Sequence, residues 1–103
     1  MEKRNNKYQL HLQELELKDG NEGSQKLDFE FSNHDDLFKI FEVVKFKKLF
    51  ENEVTNYEFA LGLKLFTEVI ITQKEHPLFE ELRPEILKFM KKLKAFDSEA
   101  LMH

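Results

Sequence analysis

Two short runs in the N-terminal third of the chain alternate between apolar and polar residues. The apolar positions are Tyr8, Leu10 and Leu12 in the first run and Leu27, Phe29 and Phe31 in the second. A repeat of two residues is typical of a strand with one buried face. Residues 18–24, which are rich in Gly, Asn and Asp, separate the runs and favour a turn. The pattern therefore predicts an antiparallel β-hairpin.

The first strand has one irregularity in its alternation. Its leucines are even-numbered up to Leu12 and odd-numbered at Leu15 and Leu17. A regular strand cannot place all of them on one face, because its side chains alternate. One extra residue near Gln13 or Glu14 would restore a common face, so we predict a β-bulge there. The cross-strand pairs expected from this bulge are Leu17 with Leu27, Leu15 with Phe29, and Leu12 with Phe31.

From Leu37 onwards the spacing of apolar residues changes to three or four, which is typical of helices. The first helix has one apolar stripe at Leu37, Ile40, Phe41 and Val44, and a second at Val43, Phe46 and Phe50. A helix that is apolar on two sides lies between two layers or in an interface. The second stripe therefore either packs beneath the final helix or lies in a homodimer.

A second helix is expected over residues 55–74, and its stripe is predicted to form the centre of the core. That stripe consists of Phe59, Leu63, Phe66 and Ile70. Gly62 lowers helix stability by about 1 kcal/mol relative to Ala, so we expect a neighbouring backbone to approach it closely. Pro77 ends the helix, because the residue before a proline disfavours the α conformation. Pro84 is suited to the first position of a third helix.

These elements predict an α+β fold, in which a two-stranded antiparallel β-hairpin is followed by three α-helices packed on one face. A chain of 103 residues is long enough for one hydrophobic core and too short for two. We therefore expect a single domain over residues 1–96. Residues 97–103 are expected to form a flexible C-terminal tail.

The stretch NHDDLF, residues 33–38, combines an imidazole with two carboxylates. Asn is among the best N-cap residues, and carboxylates in a first helical turn offset the positive end of the helix dipole. We therefore expect Asn33 to cap the first helix and Asp35 and Asp36 to lie in its first turn. His34 has no role in this structural interpretation.

A functional interpretation would combine His34, Asp35 and Asp36 with His76 as a metal or acid–base site. Zinc needs about four ligands, and the chain contains none of the usual His-containing spacings, so no metal and no cofactor are predicted. The simpler expectation for His76 is a residue at a helix C-terminus, where its charge is favourable. His11 is expected to pair across the hairpin with Asp28 or Glu30.

The composition excludes some chemistries. Because the chain contains no Cys, it has neither disulfides nor thiolate sites, which suits a cytoplasmic location. A net charge of −4 argues against a nucleic-acid partner. No apolar run approaches the roughly 20 residues that a transmembrane helix needs. The lysines of FMKKLK, residues 89–94, are expected to face solvent in a last helical turn rather than to bind a membrane surface or an anionic partner.

Four blocks of the chain are similar to a family of small bacterial proteins, the domain-of-unknown-function family numbered 3861. The blocks are NHDDLF (33–38), FALGLKLFTEV (59–69), HPLF (76–79) and FMKKLK (89–94). The resemblance implies a bacterial and cytosolic α+β protein of one domain. It implies no catalytic residues, because the family has no established activity.

The sequence supports two functional hypotheses. The first is a non-enzymatic protein-interaction module that forms a homodimer or binds a protein partner, suggested by the two-sided first helix and the unpaired hairpin edge. The second is a small-molecule-binding protein or enzyme with a pocket near His34 and His76. A binding module needs an exposed apolar surface, whereas an enzyme needs these imidazoles to converge in a concavity with a carboxylate.

Overall fold

A computed structural model describes residues 5–96 of the chain. The chain divides at residue 35 into a hairpin unit, Met1–Asp35, and a helical unit, Asp36–His103. The hairpin unit contains β1 (Asn6–Gln13) and β2 (Lys26–Asn33). The helical unit contains α1 (Leu37–Lys47), α2 (Glu53–Thr72), a short 3-10 turn (Pro77–Phe79) and α3 (Leu82–Ala95). The predicted α+β class, a hairpin followed by three helices, is confirmed. The predicted tail, 97–103, lies outside the described residues.

The two strands pair antiparallel in a regular register that sorts the side chains by polarity. The pairs on the apolar face are Tyr8 with Phe31, Leu10 with Phe29, and Leu12 with Leu27. The pairs on the other face are Lys7 with Ser32, Gln9 with Glu30, His11 with Asp28, and Gln13 with Lys26. The predicted pairing of His11 with Asp28 is therefore confirmed.

The bulge predicted in the first strand is wrong, and so are its cross-strand pairs. Leu12 opposes Leu27 rather than Phe31, and Leu15 is 77% exposed. The register does change by one residue beyond the strands, where Glu16 bridges Glu22. The extra residue lies on the returning segment, where the carboxylate of Glu14 accepts hydrogen bonds from two successive backbone N–H groups. The change from even-numbered to odd-numbered leucines could not show which of the two segments carries the extra residue.

Gly23 explains how the returning segment comes so close to the outgoing one. A Cβ atom at this position would overlap the side chain and backbone of Glu14. The backbone N–H of Gly23 donates to the carbonyl of Leu15 at 3.0 Å. A residue without a side chain is therefore required where the two segments meet.

Side-chain caps begin the first two helices. Asp36 is the N-cap of α1, and its carboxylate accepts from the backbone N–H groups of Phe38 and Lys39. The prediction that Asn33 caps this helix is wrong, because Asn33 is the last residue of β2. The expectation of carboxylates within the first turn is also wrong, since Asp36 precedes it. Asn52 caps α2, which begins at Glu53, two residues earlier than predicted.

The third helix begins earlier than its proline suggested. Leu82 is its first residue, so Pro84 occupies the third position rather than the first. Every position of a helix's first turn tolerates a proline, because the N–H groups there have no intrahelical partner. Arg83 connects this turn to the end of α2 through a guanidinium N–H that donates to the carbonyl of Gln73 at 2.9 Å.

The core of the helical unit is displaced from the predicted stripe. The buried apolar residues of the described chain are Leu37, Val44, Ala60, Ile70 and Phe79. On α2 the buried residues are Asn56, Ala60, Thr67 and Ile70. Ile70 therefore confirms its prediction, but Phe66 does not belong to the core centre, since it is 43% exposed. It contacts the buried ring of Phe79 edge-on from outside.

Two buried polar residues explain why the apolar pattern misplaced this stripe. The amide of Asn56 accepts from the backbone N–H of Phe50 and donates to its carbonyl, at 3.0 and 3.1 Å. The hydroxyl of Thr67 donates to the carbonyl of Leu63 at 2.8 Å. Polar groups can be buried when local hydrogen bonds satisfy them. A pattern that counts apolar residues alone overlooks such positions.

The close approach of a neighbouring backbone that was predicted at Gly62 of α2 is also wrong. Apart from the chain neighbours of Gly62 and the backbone of its own helix, no described atom lies within 4 Å of the place where its Cβ would be, so no other element's backbone approaches it closely. No helix among residues 5–96 has the length and apolar content needed to cross a bilayer.

Candidate functional site

The NHDD stretch forms a local network at the end of the hairpin unit. Asn33 is completely buried, and its side-chain oxygen accepts from the backbone N–H of Asp35 at 2.9 Å. The hydroxyl of Tyr8 donates to the carbonyl of Asp35 at 3.2 Å. His34 Nε2 lies 3.5 Å from Asp35 Oδ2. The network closes the strand with an Asx turn, which is a structural role.

The other two residues of the predicted site belong to the helical unit, where both act as caps. Asp36 caps α1, as described above. His76 caps the 3-10 turn, because its Nδ1 accepts from the backbone N–H of Leu78 at 3.1 Å. The expectation that His76 ends a helix is therefore wrong, since α2 stops at Thr72. The imidazole also packs against the ring of Phe79, with the centroids 5.8 Å apart.

Of the predicted site residues, the structure thus places His34 beside Asp35 and gives Asp36 and His76 separate capping roles. Within residues 5–96, no three His, Asp or Glu side chains cluster as a metal site would require. The site formed by His34, Asp35, Asp36 and His76 stays a prediction.

A surface concavity of about 560 Å³ lies in the helical unit, between α1 and α2. Its lining residues are Phe38, Phe41, Glu42 and Lys45 from α1, and Val54, Tyr57, Glu58 and Leu61 from α2. We call it the α1–α2 groove. Each helix contributes residues at positions i, i+3, i+4 and i+7, which lie on one helical face. Each face also has the same order, an apolar residue followed by an aromatic residue and a glutamate.

Aromatic rings form much of the wall of the groove. Phe41 contacts Phe38 and Tyr57 edge-on, with centroid separations of 5.9 and 5.6 Å. The side chains at the mouth remain open to solvent. Phe38 is 67% exposed, Val54 61% and Tyr57 40%. The groove therefore exposes apolar and aromatic surface that the helical unit does not cover.

A hydrogen-bonded triad connects the two helices beside the groove. The carboxylate of Glu53 accepts from the Tyr57 hydroxyl at 2.7 Å and lies 3.1 Å from the ammonium of Lys45. These contacts lower the pKa of Glu53, the Tyr57 hydrogen bond most and the Lys45 contact next. The hydrogen bond to Glu53 is also the main cause that raises the pKa of Lys45 and that of Tyr57. All three groups are exposed, so the triad positions side chains more than it stabilises the fold.

Two further acidic residues, Glu42 and Glu58, line the groove. No described residue forms an ion pair or hydrogen bond with the carboxylate of Glu42 or Glu58. One lies on α1 and the other on α2, so each wall of the groove carries one. Since Glu53 compensates Lys45, the groove presents apolar surface together with uncompensated negative charge.

The sequence contained a signal for this groove that the search for catalytic residues missed. The order apolar, aromatic, Glu recurs at 38, 41 and 42 and again at 54, 57 and 58. Two helices with matching faces that follow each other after a short turn pack as antiparallel neighbours. The pairing of Lys45 with Glu53 across that turn could not be read from helical spacing.

Comparisons with known proteins are consistent with the fold. Residues 6–95 match the model of DUF3861, described as a Domain of Unknown Function, which confirms the resemblance expected from the sequence blocks. The chain is also similar to a crystal structure of a protein of unknown function from Pectobacterium atrosepticum. The identity is 39% and the TM-score 0.78, over 89% of this chain and 99% of that one. The comparison with curated proteins finds no match.

Proposed function

The chain belongs to the DUF3861 family, and we propose that it is a non-enzymatic protein-interaction module that binds a partner in the α1–α2 groove. The observation that carries this proposal is the exposure of large apolar side chains along both walls of the groove, above all Phe38 and Val54. Aromatic and apolar anchors at the centre of a patch, with charged residues around them, are typical of protein interfaces.

The shape of the groove favours a helical segment as its occupant. Two helices side by side present a shallow channel, and an amphipathic helix binds such a channel through residues at helical spacing. The triad of Lys45, Glu53 and Tyr57 supports this role, because it holds the ring of Tyr57 in place before a partner arrives. A wall that is already ordered loses less conformational entropy on binding.

The stripe of Val43, Phe46 and Phe50 gives further support. Phe46 is 87% exposed and Val43 42%. Phe50 is 38% exposed, although its ring contacts Phe59 edge-on. A first helix with exposed apolar residues on two sides suits a module whose surface is completed by another protein.

We further propose that the module acts in a bacterial cytoplasm. The similar structure comes from a bacterium and shares 39% of its residues with this chain. The absence of Cys suits a reducing compartment. The enzymatic alternative at His34 and His76 ranks second, because the imidazole of His76 already serves as a cap.

A photo-crosslinking experiment tests the proposal. A photoreactive phenylalanine analogue replaces Phe38 in the full chain, and the protein is irradiated inside bacterial cells. We expect a discrete crosslinked protein of defined mass, which Tyr57→Ala and Val54→Asp reduce strongly. The matched control carries the analogue at Leu78, which is 73% exposed but lies outside the groove. Absence of a discrete product at Phe38, or equal products at both positions, would contradict the proposal.

A further inference from the structure

We infer that the partner in the α1–α2 groove is a second copy of this chain, which inserts the Leu87 face of its α3. This inference rests on the proposed function and names the occupant of the same site. Two observations carry it: an apolar side chain left uncovered on α3, and opposite charges on the two surfaces.

The first observation concerns the packing of α3. None of its residues is buried, although the helix contains Ile86, Leu87, Phe89, Met90 and Leu93. Phe89 attaches the helix to its own unit through an edge-on contact with Phe59, at 6.4 Å between centroids. Leu87 lies about 200° around the helix from Phe89, because each residue advances about 100°. It is 64% exposed and forms an apolar projection on the outer face.

The second observation is charge complementarity. Lys91 and Lys94 follow Leu87 at i+4 and i+7. Lys91 lies on the outer side of the helix, whereas Lys94 lies at its edge and also lines the cavity between α3 and the other two helices. Their ammonium groups have no carboxylate partner among residues 5–96, unlike Lys88, which pairs with Glu85. The groove has the opposite character, with apolar walls and the uncompensated carboxylates of Glu42 and Glu58. Insertion of Leu87 between these walls would bring the two lysines of α3 next to the two glutamates of the groove.

A two-fold axis makes the contact reciprocal. Each copy contributes one groove and one α3, so the α3 of each copy can enter the groove of the other. The two-fold dimer therefore contains two equivalent contacts, so it buries twice the apolar surface and forms twice the ion pairs of a single contact. Neither a groove nor a Leu87 face is left free. The chain has a net charge of −4, so two copies repel each other unless a local basic surface meets an acidic one. The outer face of α3 provides such a surface.

A charge-swap experiment tests the inference on the full chain. One variant reverses the groove (Glu42→Lys with Glu58→Lys), and another reverses the helix (Lys91→Glu with Lys94→Glu). Sedimentation equilibrium should show a wild-type dimer at micromolar concentration. Each variant alone should dissociate with a Kd raised at least about tenfold, because like charges then face each other. An equimolar mixture should recover the dimer, since both of its contacts again join opposite charges.

Two controls separate this interface from other causes. Glu75→Lys with Glu80→Lys changes the net charge by the same amount as the groove reversal, at exposed positions outside the groove, and should not raise the Kd. Circular dichroism melting should show that all variants fold. A monomeric wild type, or a mixture that fails to recover the dimer, would overturn the inference. A monomer that still gives a discrete crosslink at Phe38 overturns only the self-association, whereas a monomer without that crosslink overturns the proposed function too.

Discussion

The hairpin unit and the helical unit use their apolar residues in opposite ways. The hairpin follows a strict two-residue repeat, yet Leu12 is 60% exposed, Leu27 55% and Phe29 40%. The helical unit follows a looser repeat, but it contains all the buried apolar residues of the described chain, with Leu37 and Ala60 nearly inaccessible. A regular repeat of apolar residues therefore determines which side chains share a face. Burial of that face requires a second surface, which two strands alone do not provide.

The largest expected effect comes from replacing one phenylalanine by alanine in each unit. Phe79→Ala should lower the free energy of unfolding of the helical unit by about 3–5 kcal/mol. The reason is that this ring is only 9% exposed, so its removal leaves a cavity. Phe29→Ala should cost about 1 kcal/mol, since this ring is already partly hydrated. Urea titration monitored by residue-resolved hydrogen exchange reports the two units separately. Equal losses for the two variants would show that burial does not distinguish the units.

A glycine-to-alanine substitution should have opposite signs in the two units. Gly23→Ala should destabilise the hairpin by on the order of 1–3 kcal/mol, because the new Cβ collides with Glu14. Gly62→Ala should stabilise the helical unit by about 0.5–1 kcal/mol, because the added methyl meets no atom outside its chain neighbours and its own helix backbone, and Ala favours the helix. Thermal melting of both variants measures the effects. A destabilised Gly62→Ala protein would reveal a close neighbour at that position.

Substitutions at two positions test which residue caps α1. The candidates are Asn33, the last residue of β2, and Asp36, the first residue of the helical unit. Asp36→Ala should lower the stability of the helical unit by about 0.5–2 kcal/mol, because two N–H groups at the start of α1 lose their acceptor. Asp36→Asn is the matched control and should remain near the wild type, since Asn caps equally well. Chemical denaturation measures both. If Asn33→Ala, but not Asp36→Ala, exposed the α1 amides to exchange, the cap assignment would be wrong.

The smallest effect concerns the polar face of the hairpin. The hydrogen bond to Asp28 is the main cause that raises the pKa of His11 above its ordinary value of 6.5, and Gln13 is the second. A raised pKa in the folded state means that this pair stabilises the hairpin fully below pH 6.5. The contribution disappears as the pH rises through the folded pKa. Because both groups are exposed, solvent screens the effect.

An NMR titration of the His11 imidazole measures this shift. Asp28→Asn should return the pKa of His11 towards 6.5, and Gln13→Ala should lower it by a smaller amount. An unchanged pKa in the Asp28→Asn protein would mean that the cross-strand pair does not form in solution.

The elements of the fold were predictable because each depends on local physics. The alternation around Leu10 and Phe29 predicted the strands, and the helical spacing from Leu37 onwards predicted the helices. Pro77 did not locate the end of α2, which stops at Thr72. The cap of α1 was misassigned to Asn33, because Asn and Asp are equally good caps and the helix start differs between them by only three residues. The candidate site at His34 and His76 rested on residue types alone, which cannot separate a cap from a ligand.

The sequence by itself determined the type and order of the strands and helices, since the period of the apolar residues and the turn composition act within a few residues. Only the tertiary structure decided which stripe of α2 is buried, because Asn56 and Thr67 are satisfied by partners that an apolar count ignores. It also decided the α1–α2 groove, where Lys45 meets Glu53 across a turn. Such contacts depend on how two helices pack, which is a long-range property that no local pattern contains.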